Sequence, residues 1–305
     1  MPIFIDDYNY APRVRRAHPK LARMISDGAH RYESLLRSFL AFLPNFQRIS
    51  ISGGSDPQLP HWVNGWIPAL DAISIYGLLA SNRPRLYVEV GSGNSTRFAR
   101  QAIRDHDLAT RIISIDPSPR ADIDALCDVI IRQPLEEVDV SFFSELQQGD
   151  ILFIDGSHRA FQNSDATVFL THVVPSLPSG VMYGMHDVFL PLDYGESVLS
   201  PEWPDARLPY PRAEIEASIA GFIPRFYSEQ YLMASYLLGG AGGDRILLPC
   251  AWITSQTYLL EILMPVWDLP ELKGIEPWGG AFWMRRSPEK PRGSAFPRPL
   301  MSSLT

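Results

Sequence analysis

From Arg85 onwards short apolar runs alternate with helix-like segments, RLYVEV, STRFARQAIRD, RIISID and DVII following one another along the chain. Strands buried on both faces read as continuous apolar runs, and their alternation with helices is the pattern of a parallel sheet covered on both sides. The pattern continues with a helix predicted over residues 136–147, a fourth strand in GDILFIDGS, a helix over 166–175 and a fifth strand in GVMYGMHD. DRILLPC and GGAFWMRR supply a sixth and a seventh strand, with a long apolar insertion between them.

Ahead of this block, residues 1–84 carry helical periodicity at 30–43 and 71–79, separated by the turn-rich stretch SGGSDPQLP. They read as a helical N-terminal extension. Residues 85–286 form the α/β domain, and the tail 287–305 has too few clustered apolar residues to make an element of its own. Within the domain, 188–211 is a Pro-, Asp- and Tyr-rich loop expected to cover the strand ends. A helix with a break near Pro224 is predicted over 213–238.

With 305 residues, 46% of them hydrophobic and 20% charged, the chain suits one catalytic domain with additions. A formal net charge of −7 gives no general attraction to phosphate backbones or anionic lipid, which argues against nucleic-acid and membrane partners. Cys127 and Cys250 form no CxxC pair, so neither a zinc ribbon nor a disulfide framework is expected, and a reducing cytoplasm suits the chain. The N-terminus does not have the layout of a secretion signal, and no apolar run approaches the roughly 20 residues that cross a bilayer.

The segment EVGSGNST places Gly91 and Gly93 directly after the first strand and before a helix. Glycines there let the backbone turn sharply and approach a ligand, and the helix N-terminus favours an electronegative group. A dinucleotide fingerprint has a small residue where Thr96 stands, which weakens an NAD(P)-binding oxidoreductase as the alternative. Glu89 sits badly beside a pyrophosphate but suits a cofactor whose amino-acid part carries an ammonium, such as S-adenosylmethionine (SAM). Asp116, ending the second strand, can accept from ribose hydroxyls, and Gln133, after the third, can reach an adenine edge.

EVGSGNST, GDILFIDGSH, the later NSD, GMHDVFLPLDY and SEQYLMASYL, in this order, resemble the motifs of the SAM-dependent methyltransferase domain 24 family. The resemblance runs from about Trp62 to Arg286. It implies the class I methyltransferase fold, a Rossmann-like, doubly wound, seven-stranded and mostly parallel sheet with its last strand antiparallel. It also implies SAM contacts at Glu89, Gly91, Gly93, Asn94, Ser95 and Asp116, with Asp155 beside the cofactor. The family commonly has a serine where this chain has Gly156, and a proline where it has Gly195.

Asp155 and His158 follow the fourth strand and His186 and Asp187 end the fifth, so a parallel sheet gathers them at its carboxyl edge. SAM is already electrophilic, so the protein must hold an acceptor in line and remove its proton. His158 is the expected general base, with His186 as competitor or orienting partner. Asp155 and Asp187 either hold these imidazoles or bind Mg²⁺, as related class I O-methyltransferases do. Asp165 reads as a helix cap or first-turn acid, while Asp193-Tyr194 and Glu229-Gln230-Tyr231 line an acceptor pocket or pack the covering loop. The predicted activity is O-methylation of a small-molecule or glycan hydroxyl. A non-catalytic SAM-binding protein is the further alternative.

Overall fold

A computed structural model describes residues 17–119, 121–194 and 227–288. Seven strands form one sheet: β1 (Leu86–Val90), β2 (Arg111–Ile115), β3 (Val129–Ile131), β4 (Ile151–Ile154), β5 (Met182–Met185), β6 (Arg245–Pro249) and β7 (Phe282–Arg285), in the order β3-β2-β1-β4-β5-β7-β6. β1 through β5 pair in parallel, and β7 runs antiparallel to both β5 and β6. This is the expected class I methyltransferase architecture. Every residue of β1, β4 and β5 is buried, which is why these strands read as unbroken apolar runs. The order reverses between β1 and β4, and that reversal opens a crevice at their carboxyl ends.

The helices that matter for the site are α1 (Pro19–Ser26), α2 (Ala29–Phe39), α3 (Ala69–Asn82), α4 (Asn94–Asp105) and α5 (Glu229–Leu238). α2 shows the amphipathic stripe predicted for 30–43, burying Tyr32, Leu36 and Phe39, and α1, which lies outside that prediction, buries Leu21 and Ile25. α3 differs from them: Ala69 through Ala80 are all buried, so it lies inside the layer covering the sheet, against α4, rather than in a peripheral extension. The Trp283 indole on β7 donates to Ser74 on α3 at 2.8 Å and stacks on Phe153 of β4, tying that layer to the sheet centre.

The helix predicted over 136–147 is absent. Only a 3₁₀ turn, Leu135–Glu137, and one α turn, Ser141–Ser144, form there. Asp139 explains the break, because its carboxylate takes the Ser141 N–H at 2.9 Å and holds the chain in a turn. The predicted helix over 166–175 forms, starting at Asp165 with Ser164 as a cap that accepts from the Thr167 N–H. Of the covering loop only residues up to Tyr194 are described. Of the helix predicted over 213–238 only α5 is, and the tail beyond Pro288 lies outside the described residues. Among the described residues no helix is long and apolar enough to cross a membrane.

Candidate active site

The glycine loop is built by close approach of two strands. Gly91 has φ +77°, and a Cβ there would stand 2.0 Å from the Asp155 carbonyl oxygen at the end of β4. Only glycine satisfies both conditions. The loop is fastened from below by Glu89, which is fully buried. Its carboxylate accepts from the Tyr87 hydroxyl at 2.9 Å and from the Thr96 hydroxyl, while Thr96 in turn accepts from the Gly93 N–H at 3.0 Å. Burial pushes the Glu89 carboxyl up to about 7, against the lowering effect of its hydroxyl donors.

On the outer side of the loop, Asp116 accepts the Ser92 N–H at 2.9 Å and the Ser118 N–H at 2.8 Å, one on each carboxylate oxygen. Each oxygen keeps a lone pair for another donor. Among the described residues no atom beyond its chain neighbours lies within 4 Å of where a Cβ on Gly93 would stand, so they leave space beside the loop at that point. α4 starts immediately after it with no side-chain cap, leaving first-turn amides without intrahelical partners. Ser95 is buried, and Asn94 Oδ1 accepts from Arg97 at 2.6 Å. Gln133 is exposed beyond β3, next to the β2 end that carries Asp116.

Asp155, His158, His186 and Asp187 do meet at the carboxyl edge, as the strand order requires. His158 Nε2 lies 3.3 Å from Asp155 Oδ1 and 3.7 Å from Asp187 Oδ2. His186 Nδ1 lies 3.2 Å from Asp155 Oδ1 and 3.6 Å from Asp187 Oδ1. Each ring has a further carboxylate at its far nitrogen: Glu229 Oε1 at 2.7 Å from His158 Nδ1, and Asp71 Oδ2 at 3.1 Å from His186 Nε2. Side-chain exposure separates the two rings, 12% for His158 against 4% for His186. A Tyr227 ring lies over His158 with centroids 4.3 Å apart.

Glu229 reaches His158 because the start of α5 is clamped to the loop after β4. Ser228 donates its N–H to the His158 carbonyl at 2.8 Å, and its hydroxyl accepts the Ala160 N–H at 2.7 Å. His158 and Asp187 both sit in the left-handed region, with φ +61° and +53°, a placement that costs roughly 1–3 kcal/mol for residues with a Cβ and is found at functional sites. Asp165 holds the same loop from the other side, accepting from the Ser157 N–H at 2.6 Å. It is thus a first-turn acid with a bracing contact. Gln230 accepts the Phe189 N–H at 3.0 Å, and the Tyr231 hydroxyl donates to Asp193 at 2.5 Å, so this part of α5 packs the covering loop.

Burial opposes charge on both imidazoles, but it is outweighed. Glu229, Asp155 and Asp187 raise His158, and Asp187, Asp155 and Asp71 raise His186, each well above the ordinary histidine value. The two rings in turn hold Asp155 well below the usual carboxylate range despite its burial. Burial lifts Glu229 to about 7 against the pull of His158.

Asp71 was not among the sequence-predicted site residues. It lies on α3, fully buried, and besides His186 it accepts the Gly280 N–H at 2.7 Å and the Ala281 N–H at 2.9 Å at the start of β7. The available signal was a lone carboxylate in the apolar helix ALDAISIYGLLA.

Asp155 and Asp187 are close together, yet the donor set does not fit magnesium. Two imidazole nitrogens converge on the same carboxylate oxygen where an oxygen-loving cation would sit, and octahedral oxygen ligation is not provided. Among the described residues no His, Cys, Asp and Glu group is arranged to hold a metal.

Residues 88–188 match the family model described as a methyltransferase domain, about a third of the chain, from β1 to just past β5. No curated protein sequence matches the chain. Among solved structures, the Podospora anserina methyltransferase PaMTH1 bound to S-adenosylhomocysteine (SAH) is 13% identical, with 71% of this chain and 78% of that chain covered and a TM-score of 0.37. The Bacillus cereus O-methyltransferase with SAH is also 13% identical, covering 84% and 91% at a TM-score of 0.38. The Streptomyces achromogenes O-methyltransferase TomG with SAM is 12% identical, covering 88% and 97% at 0.37. Likenesses this low say nothing about an acceptor. The match to a methyltransferase domain falls on the stretch that builds the glycine loop and the carboxyl-edge cluster, within a sheet of the class I methyltransferase fold.

Proposed function

We propose that the protein transfers a methyl group to a hydroxyl of a small acceptor, with His158 as the group that takes the proton. The supporting observation is the pairing of His158 Nδ1 with the Glu229 carboxylate at 2.7 Å, while Nε2 faces the carboxyl edge, 3.3 Å from Asp155 at the strand end that touches Gly91. A carboxylate on one imidazole nitrogen fixes ring and tautomer and supports the other nitrogen as an acid-base group. His186, the less exposed ring at 4% against 12%, lies between Asp71 and Asp155, and we assign it to positioning Asp155.

SAM, when bound, supplies an electrophilic methyl on a sulfonium. The crevice residues fit it: Asp116 has lone pairs left for a ribose diol, and the Asn94 and Ser95 amides at the start of α4 suit a carboxylate. Glu89, fully buried, shapes the loop from beneath through Thr96, and each of its oxygens keeps a lone pair for the cofactor's ammonium. Gln133 is left available to a nucleobase edge. The acidic groups of Asp71, Asp155, Asp187 and Glu229 outnumber the two rings they surround, an excess that favours a sulfonium nearby. Tyr194, Tyr227 and Tyr231 pack edge to face beside His158 and offer an aromatic wall to an acceptor.

The pH–rate profile tests this reading. A base whose value is raised by Glu229 stays protonated to higher pH, so the rate climbs as pH rises through that raised value. Glu229→Gln removes the negative partner, which lowers the His158 value and moves the acid limb to lower pH, while the maximal rate falls about 10-fold or more. An acid limb that stays in place in Glu229→Gln contradicts the pairing of these two residues in catalysis.

A further inference from the structure

A cavity of about 740 Å³ opens at the amino edge of the parallel strands, the opposite side of the sheet from the cofactor crevice. Its walls come from α1 and α2, from the turn after α5, from the loops preceding β4 and β5, and from the paired ends of β6 and β7. The volume is that of a small-ligand pocket.

Among the described residues, three arginines on this wall, Arg31, Arg245 and Arg285, have no carboxylate partner. Arg245 and Arg285 stand directly opposite one another in the antiparallel β6–β7 pair, so their side chains share one face of the sheet. Like charges in that position repel unless something between them compensates. Among the described residues, Arg285 Nη2 reaches the Asn82 amide oxygen at 3.5 Å and the Met182 sulfur at 3.3 Å. The Nε atoms of Arg285 and of Arg31, on α2, are buried without a hydrogen-bond partner. Burial, with Arg245 adding to it, lowers the Arg285 guanidinium below its ordinary value.

The two carboxylates on the wall do not resolve this. Asp244 is taken up by Arg286 at 2.9 Å, the Ser287 N–H at 2.9 Å, Tyr183 at 2.8 Å and Tyr236 at 2.9 Å. Asp27 is exposed and makes no ion pair with any of the three arginines. In a chain of net charge −7, a pocket with three uncompensated guanidinium groups and unused N–H donors is a local exception.

We propose that this cavity is a second binding site, separate from the methyl-transfer site, for a small molecule bearing a phosphate group held by Arg31, Arg245 and Arg285. Guanidinium forks match the oxygens of phosphate in parallel pairs, and one such anion between Arg245 and Arg285 satisfies both.

Thermal unfolding against inorganic phosphate, at ionic strength held constant with sodium chloride, tests the proposal, with citrate in parallel as a carboxylate probe. The expected result is a saturable rise in Tm with phosphate, its half-saturation moved at least tenfold higher in Arg285→Gln and in Arg245→Gln, with SAM affinity unchanged. Arg245 is exposed, so its variant remains informative should Arg285→Gln fold poorly. No saturable response to phosphate overturns the proposal, as does an equal response in the variants or saturation by citrate alone.

Discussion

Among single residues, the ones that take most of the burden are carboxylates with several donors each. Asp71 accepts from two backbone amides of the β7 entry and from the His186 ring, all in full burial. Asp71→Asn puts an NH₂ where one of those donors points, and breaking such a buried pair costs about 3–5 kcal/mol. A large fall in Tm by calorimetry is expected, with the loss of turnover exceeding any loss of SAM affinity; an unchanged Tm would remove Asp71 from its anchoring role. The carboxyl-edge residues were legible in the sequence because each follows an apolar strand. Asp71 was not, because it precedes His186 by 115 positions and its helix reads as core. Thr96 was legible only as an obstacle to a dinucleotide. In the fold it joins the Gly93 amide to the buried Glu89, which explains why a hydroxyl is needed there.

At the scale of elements, the loop after β1, the loop after β4 and the start of α5 form one assembly. Gly91 lets the first two touch, and Ser228 with Glu229 ties the third to them. Gly91→Ala therefore acts on both: the methyl group meets the Asp155 carbonyl, and the positive φ adds strain of about 1–3 kcal/mol. The variant is expected to lose at least tenfold in SAM affinity by titration calorimetry, and an affinity equal to wild type would mean that the loop relaxes without consequence. Strands were readable because all five parallel ones are apolar runs of buried residues or edge pieces next to them. The failed helix at 136–147 shows the limit, since an Asx turn at Asp139 overrides an apolar spacing that looked helical. α3 shows another, because an all-apolar helix ahead of the first strand is indistinguishable in sequence from an extension until its packing is seen.

Across the whole molecule, the sheet separates two chemically different edges. The carboxyl edge gathers four carboxylates around two imidazole rings beside the cofactor loop. The amino edge holds four arginines around a cavity, one of them, Arg286, paired with Asp244. The fold class could be anticipated because strand order and glycine loop follow from alternation and motif. The amino-edge cavity could not, because Arg31, Arg245 and Arg285 come from three distant segments and carry no motif. The account as a whole stands on His158 accepting the proton while the crevice holds the cofactor without its help. The direct measurement pairs SAM titration calorimetry with single-turnover methyl transfer in His158→Ala. Transfer is expected to fall at least a hundredfold, of order 3 kcal/mol in the barrier, with SAM affinity within about threefold of wild type. Turnover near the wild-type rate with SAM bound normally would contradict it.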